Sequence, residues 1–438
     1  MRDTDRHGHW IGDTLEPCRH VEAGGRDASP RKNMLFISHR FLYPPDRGEK
    51  IRGFNLIRHL SDSWNIHLGC MSDSPNDAQY VDFLRQFCAD LACFNMDKGR
   101  KKLHALTKIK IGKPLLLDYY WDAKFQNWVN EKLNEIHIDV IYVYSTAMMK
   151  YVESIDHPNK FLDMQDVDSE KWAEYATKSP LFTRPIWSRE ARTMLAYERR
   201  ATLACRQTFL VSEPECQRFR ELAPECAELV SPLEMGVDLD YFSPAQNFPS
   251  PFSQRGPNLV FVGNMDYWPN TDAAIWFHDQ ILPLVRREFP TVQFHIVGAN
   301  PPQQLKSLAR DPGVHVTGRV PDVRPYVRHA DVSVAPLRIA RGIQNKVIEA
   351  MAMGKPVVTT TKVAGAIRAE PGRDLLVAED ADTFAAQIAE VLSGRYADIG
   401  LAARRAAEQG YAWRRTFARL DHFLEGATSL PAGSEAVP

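Results

Sequence analysis

Short apolar runs alternate along the chain with longer stretches in which apolar positions recur every three or four residues. The first pattern predicts strands and the second amphipathic helices. In the first half the runs Met34–Ser38, Ile66–Met71, Val140–Tyr144, Lys160–Met164 and Thr208–Ser212 predict strands, with helices at Lys50–Leu60 and Trp187–Leu203 among those between them. The alternation resumes with strands at Leu259–Gly263, Val292–Gly298, Val314–Gly318, Asp331–Pro336, Pro356–Thr360 and Leu375–Ala378. Helices follow at Thr271–Phe289, Asp322–Arg328, Ile343–Met353 and Asp382–Leu392, and a last one at Tyr411–Leu424. Strand–helix alternation predicts parallel sheets with helices on both faces.

A chain of 438 residues exceeds what one core of about 250–300 residues sustains, so two domains are expected. Prolines at 244, 249, 251 and 257 have linker composition. The expected division is a disordered tail at 1–33, a Rossmann-like domain at 34–244, a linker at 245–257, a second Rossmann-like domain at 258–410, a crossover helix at 411–426 and a tail at 427–438. Parallel sheets of this kind bind ligands outside the carboxyl ends of their strands, so two of them predict a central cleft.

Charge narrows the partners. Lys+Arg number 54 against Asp+Glu 55, a net charge of -1, which gives no basic footprint for nucleic acid. Seven scattered cysteines without a C-x-x-C pair suggest neither a disulfide framework nor zinc, and fit a reducing cytoplasm. No run approaches the ~20 apolar residues of a membrane span, and no apolar signal core opens the chain. The expected location is the cytoplasm, with the inner face of the membrane open to it. Lys98–Lys113 carries seven Lys and Arg and no acid, interleaved with Leu103, Leu106, Ile109 and Ile111. It fits either an amphipathic segment on anionic lipid or a solvated helix with one buried stripe.

The densest chemical signal runs from Pro336 to Val358. A strand ends, a loop with Gly342 follows, and a helix opens near Ile343, Gln344 and Asn345. Free N–H groups and the dipole at a helix start favour an anion such as a diphosphate. Lys346 adds a positive charge to that turn. Glu349 lies one turn on, on the same face, where a carboxylate accepts hydrogen bonds from ribose hydroxyls. An ordinary strand–loop–helix unit with a solvated Lys346–Glu349 pair would show the same spacing.

The whole stretch, with Gly342, Asn345, Lys346, Glu349, Gly354 and Pro356, resembles the donor-binding signature of glycosyltransferase family 4, the retaining enzymes of GT-B fold. The resemblance covers nearly all of Met34–Leu424. It implies two Rossmann-like domains facing a central cleft, with the C-terminal helix returning to the first domain. It also implies a nucleotide-diphosphate sugar as donor, UDP- or GDP-linked, and no cofactor or metal. The family's common Glu-x7-Glu pattern places its second Glu at Glu349 and has Arg341 at the first, a candidate to hold the diphosphate. Gly263 and Asn264 match the family's first glycine loop, where many members carry cations. Asn270, in the same loop, fits a cap for the helix at Thr271. Val320 matches the Gly-x-Val-Pro turn whose backbone meets the nucleobase, and Asp322 fits a helix cap beside it. Glu234–Pro244 resembles the interdomain crossover, shaped by Gly236 and Asp238.

On the acceptor side, Ser38–Arg52 resembles the family's Pro-Pro-x-x-Gly-Gly loop. It nominates His39, Arg47, Gly48, Lys50 and Arg52 to face acceptor or phosphate. Its form is similar to a subgroup linked to bacterial exopolysaccharide systems. Asp166 and Asp168, where relatives carry His or His-Asp, fit acceptor contacts, a proton acceptor or helix caps. The expected reaction is sugar transfer to a glycan or lipid-linked oligosaccharide with retention, Lys346, Glu349, Arg341 and Asp166 carrying it. A GT-B sugar-nucleotide epimerase, a phosphorylase and a non-catalytic nucleotide-sugar binder stand as alternatives.

Overall fold

The structure is a computed structural model that describes residues 31–45, 47–96, 112–253, 255–340 and 342–428. Most of the expected N-terminal tail, nearly all of Lys98–Lys113, Arg341, and residues 429–438 of the C-terminal tail lie outside the described residues. The chain forms two compact units. One ends its first pass at Glu234 and takes in the chain again from Phe417; the other is Met235–Thr416.

In the first unit the strands are β1 (Lys32–Ser38), β2 (Trp64–Ser72), β3 (Asp90–Asn95), β4 (Val140–Tyr144), β5 (Lys160–Gln165), β6 (Gln207–Leu210) and β7 (Val230–Pro232). They form one sheet in the order β3-β2-β1-β4-β5-β6-β7, every neighbouring pair parallel. The two-residue period of a strand sends alternate side chains to opposite faces. Leu35, Ile37, Ile141, Val143 and Leu162 enter one core, and Met34, Phe36, Val140, Tyr142 and Phe161 the other. Both faces are therefore covered, as parallel sheets require. Edge strand β3 has mixed polarity and β7 spans three residues, so neither shows an apolar run.

The second unit holds β8 (Asn258–Val262), β9 (Gln293–Val297), β10 (Val314–Gly318), β11 (Val332–Ala335), β12 (Val357–Thr359) and β13 (Leu376–Val377). They lie in the order β10-β9-β8-β11-β12-β13, again all parallel. Each sheet thus reverses its strand order once, between β1 and β4 in the first unit and between β8 and β11 in the second. Such a reversal opens a crevice at the carboxyl edge where α/β sheets bind ligands.

Three elements differ from the sequence pattern. The single helix expected at Thr271–Phe289 is Trp268–Trp276, a π turn at Phe277–Ile281, and Leu282–Glu288. Pro283 lacks the N–H that an unbroken helical ladder needs, and the widened turn precedes it. The proline-rich stretch packs on the second unit: Phe252 joins the cluster of Val260, Val297 and Val320, and Gln246 accepts from Arg324 at 2.8 Å. The last helix is Trp413–Thr428. From Phe417 it belongs to the first unit, where Leu420 and Leu424 are fully buried and Asp421 meets His59 at 2.9 Å. No helix among the described residues is long and apolar enough to cross a membrane.

Candidate functional site

The switch point of the second sheet is walled by the loops after β8, β9, β10 and β11. Gly263 N donates to Val297 O at 3.0 Å, Met265 N to Ala299 O at 2.8 Å, and Gly298 N to Gly318 O at 3.2 Å. Gly298 holds the loops together by having no side chain. Its φ is +151°, and a Cβ there would stand 1.7 Å from the Gly263 carbonyl oxygen. The sequence contains this Gly298-Ala-Asn stretch at a strand end, a signal that points to close backbone approach.

Facing these loops, the helix after β11 begins at Asn345, two residues later than expected, with Gln344 as its N-cap. Gln344 supplies no side-chain cap. The first N–H groups of a helix have no partner within it, so this end remains available to an anion. Gly342 turns the chain into the helix at φ +58°, a conformation that favours glycine.

Lys346 and Glu349 lie on one face of this helix. Lys346 Nζ donates to Asn270 Oδ1 at 2.7 Å and stands 5.2 Å from the Phe261 ring centre. Burial lowers its pKa from the ordinary 10.5 to about 8, against the pull of Glu349. Burial likewise raises Glu349 from 4.5 to about 7, against the pull of Lys346. Each group is thus poised to change charge near neutrality, a property concentrated at functional sites.

Asn270 corrects an expectation. The helix begins at Trp268 with Tyr267 as N-cap, so Asn270 does not cap it. The side chain is buried, accepts from Lys346, and donates to Asn264 O at 2.8 Å. It therefore ties the Gly263 loop to the cation of the facing helix. Asn264 Oδ1 is buried with no hydrogen-bond partner among the described residues, so it has an acceptor to offer a ligand donor beside the Gly263 loop. Val320 is 6% exposed and packs against Val260, Val297, Val323 and Ala330. Only its backbone is open to a ligand. Asp322 accepts from Arg324 N at 2.9 Å and so holds the start of the next helix. Unforeseen in the sequence, the Arg324 guanidinium lies 3.6 Å over the Tyr241 ring. Burial and the nearby carboxylates, Asp322 first, push Tyr241 up to about 12.

In the first unit the nominated basic cluster separates. Arg52 is 1% exposed and forks onto Asp163 with two bonds of 3.0 Å, while Nη1 donates to Leu233 O. Tyr142 OH completes the network at 3.0 Å from Asp163. Arg52 is therefore a buried structural cation, not a phosphate ligand. Lys50 is also buried, 3.7 Å from Asp77, and is turned away from solvent. The pattern Arg-x-x-Lys-x-Arg did not show which residues faced inward, because buried ion pairs have no hydropathic signature. Arg47 and Gly48 are exposed, Arg47 at the N-cap of the Gly48–Leu60 helix. His39 is half-buried, Nδ1 3.4 Å from Tyr144 O and its ring 5.6 Å from Tyr120. Burial, aided by Arg40, lowers its pKa to about 4.

Asp166 follows Gln165, whose φ of +70° is unusual for a residue with a side chain, and is exposed. Asp168 opens the Asp168–Lys178 helix, where burial raises its carboxyl to about 6. Neither is the N-cap, which is Val167 without a side-chain cap. Glu198 of the Arg184–Leu203 helix serves instead, accepting from Ser169 N at 3.0 Å and Ser169 Oγ at 2.5 Å. Glu198 is fully buried, and burial with the nearby Asp168 charge raises it to about 8. Its position on the apolar stripe with Met194 and Ala201 was the available signal. Asp163 is committed to Arg52, so the three aspartates at 163, 166 and 168 do not share one site.

Residues 256–394, within the second unit, match the family described as Glycosyl transferases group 1. The chain is 31% identical over 194 residues to a phosphatidyl-myo-inositol mannosyltransferase of Mycobacterium tuberculosis, covering 41% of this chain and 49% of the relative. It is 29% identical over 216 residues to a GDP-mannose-dependent alpha-(1-6)-phosphatidylinositol monomannoside mannosyltransferase of Mycolicibacterium smegmatis, covering 44% and 56%. The chain thus spans about half the length of the curated relatives it matches. Among solved structures, sucrose-phosphate synthase from Thermosynechococcus elongatus superposes with a TM-score of 0.66 at 16% identity, over 90% of this chain and 99% of that one. The two all-parallel sheets are those of the GT-B fold, and residues 256–394 of the second unit are similar to the group 1 glycosyl transferases.

Proposed function

We propose that the protein is a retaining glycosyltransferase that moves a sugar from a UDP- or GDP-linked donor to a glycan or lipid-linked oligosaccharide. The observation that carries this reading is the Lys346–Asn270–Glu349 arrangement on an uncapped helix start at the sheet's switch point. In it, the donor diphosphate lies on the N–H groups from Gly342 to Lys346 and on the Lys346 cation, and Arg341 is assigned to help hold it. Glu349 accepts from the ribose hydroxyls, and the base lies against the backbone at Val320. Gly263 and Asn264 close the phosphate side.

As the bond from the anomeric carbon to the diphosphate breaks, negative charge grows on the leaving oxygen. A cation fixed there lowers the barrier because it needs no reorganisation. The acceptor hydroxyl attacks from the same face, and its proton passes to the leaving phosphate, so configuration is retained. Asp166, Asp168, His39, Arg47 and Gly48 remain as acceptor-side groups on the first unit. The names of the two relatives, both mannosyltransferases of phosphatidylinositol-based lipids, support a lipid-linked acceptor. A role in exopolysaccharide-type synthesis at the inner membrane face belongs to the same reading, as does a membrane contact through Lys98–Lys113.

A thermal-shift panel of nucleotides and nucleotide sugars tests the donor site, since a ligand of the folded state raises its apparent stability. One base series is expected to stabilise the protein, and Lys346→Ala and Glu349→Ala to abolish that shift and sugar transfer. Full transfer activity in both variants would sink the donor site as drawn. Turnover of a labelled nucleotide sugar without an acceptor, or only with inorganic phosphate, would point to the epimerase or phosphorylase chemistry instead.

A further inference from the structure

Helices Asp168–Lys178 and Arg184–Leu203 form a hairpin closed by a five-residue turn. At its apex Leu181 is 77% and Phe182 81% exposed. Of the eight large hydrophobic side chains exposed among the described residues, four lie in this one tip: Tyr175, Leu181, Phe182 and Ile186. Scattered exposed apolar residues are ordinary, but a cluster marks an interaction surface.

The turn pairs part of its own backbone. Thr183 N donates to Pro180 O at 3.0 Å and Arg184 N to the same oxygen at 3.2 Å, while the Arg184 guanidinium reaches Ser179 O at 3.1 Å. The Leu181 and Phe182 side chains stand out from the turn, so they reach the acyl boundary while its backbone stays at the headgroup level. Behind it stand Trp172 and Trp187, stacked with ring centres 5.3 Å apart, and Tyr175 edge-on to both. Trp and Tyr favour the level of lipid headgroups. Charge fits the same partner. From Tyr175 to Arg192 the chain carries Lys178, Arg184, Arg189 and Arg192 against one acid, Glu190, which is buried. Glu190 accepts from Leu116 N at 3.2 Å, inside the unit.

We propose that this hairpin tip docks the protein on an anionic lipid surface, Leu181 and Phe182 entering the acyl boundary and the arginines meeting headgroup phosphates. A second copy of the chain fits less well. A stable protein interface needs roughly 800 Å² from each partner, whereas two apex side chains offer about 300–400 Å² on a convex point. The inference rests on neither the sugar-transfer reading nor the Lys98–Lys113 segment.

Flotation of the full-length chain with vesicles tests it. Vesicles of phosphatidylethanolamine with about a third phosphatidylglycerol are compared with pure phosphatidylcholine, at low and high salt. The wild type is expected to float with the anionic vesicles, much less with the neutral ones, and less as salt rises. The double variant Leu181→Ser/Phe182→Ser removes two apolar anchors and is expected to lower the partition coefficient roughly a hundredfold. Both positions are exposed, so its melting temperature should match the wild type. Arg192→Glu should weaken flotation about tenfold. Equal flotation of the double variant, no flotation of the wild type, or equal and salt-independent binding to neutral vesicles each overturns the proposal. So does a wild-type dimer in light scattering that the double variant converts to a monomer without losing vesicle binding.

Discussion

If the proposed donor site is right, the Lys346–Glu349 pair makes binding depend on pH in a calculable way. With Lys346 lowered to about 8 and Glu349 raised to about 7 in the empty site, the charged form of each is disfavoured. Each pK change corresponds to about 3 kcal/mol. A diphosphate stabilises the Lys346 cation, and ribose hydroxyls stabilise the Glu349 carboxylate, so both charged forms are required in the complex. Above pH 8 binding must recruit a proton to Lys346. Below pH 7 it must remove one from Glu349. Affinity for a nucleotide sugar, whose esterified diphosphate does not titrate here, should therefore peak between pH 7 and 8. It should fall about tenfold by pH 9 and about tenfold by pH 6. The two groups influence one another electrostatically, so the limbs report the pair as a unit. Calorimetric titration with UDP-glucose and GDP-mannose from pH 6 to 9 measures this. In buffers of different ionisation enthalpy, the better ligand should take up about half a proton at pH 8. Lys346→Met should flatten the alkaline limb and weaken binding by up to about a hundredfold. Glu349→Gln should flatten the acid limb. A pH-independent wild type, or an alkaline limb that survives in Lys346→Met, would refute the assignment.

Three further outcomes follow from the packing. Arg52→Ala leaves the buried Asp163 carboxylate unpaired, and should cost about 3–5 kcal/mol, lowering the melting temperature by roughly 10 °C without changing nucleotide affinity in the protein that remains folded. Glu198 is raised to about 8 in the folded chain, so it contributes stability at pH 4.5 and below that is lost as pH rises to 8. Glu198→Gln should match the wild type in urea melts at pH 4.5 and exceed it at pH 8 by roughly 2–4 kcal/mol. Asn270→Asp sets a carboxylate against Lys346 where phosphate is expected, and should weaken nucleotide-sugar binding at least about tenfold while raising the pH of the alkaline limb; unchanged affinity would remove Lys346 from the phosphate site.

Much of this architecture was legible because parallel strands buried on both faces leave apolar runs that stand out from their surroundings. Val140–Tyr144 is such a run, and the strand has those limits. Edge strand β3 escaped notice because only one of its residues, Leu91, is buried. At the site, Lys346 and Glu349 were legible from spacing on one helix. Asn270 was not, because its partner lies 76 residues away and only the fold brings the amide to the lysine. Arg52 misled for the same reason. Its partner Asp163 is 111 residues distant, and a surface arginine looks identical in sequence.

The final helix has a consequence for how the protein is made. Leu420, Leu424 and Ala427 complete the first unit's core alongside Met34, Phe36 and Phe161. The ribosome delivers them only after all of Met235–Thr416. The first unit must therefore wait, one apolar face incomplete, through the synthesis of the second, although domains generally fold in order of emergence. During that interval it is a natural client for a chaperone. A stop codon just after Thr416 would leave the whole second unit and the proposed donor site encoded, and its damage would be to the first unit.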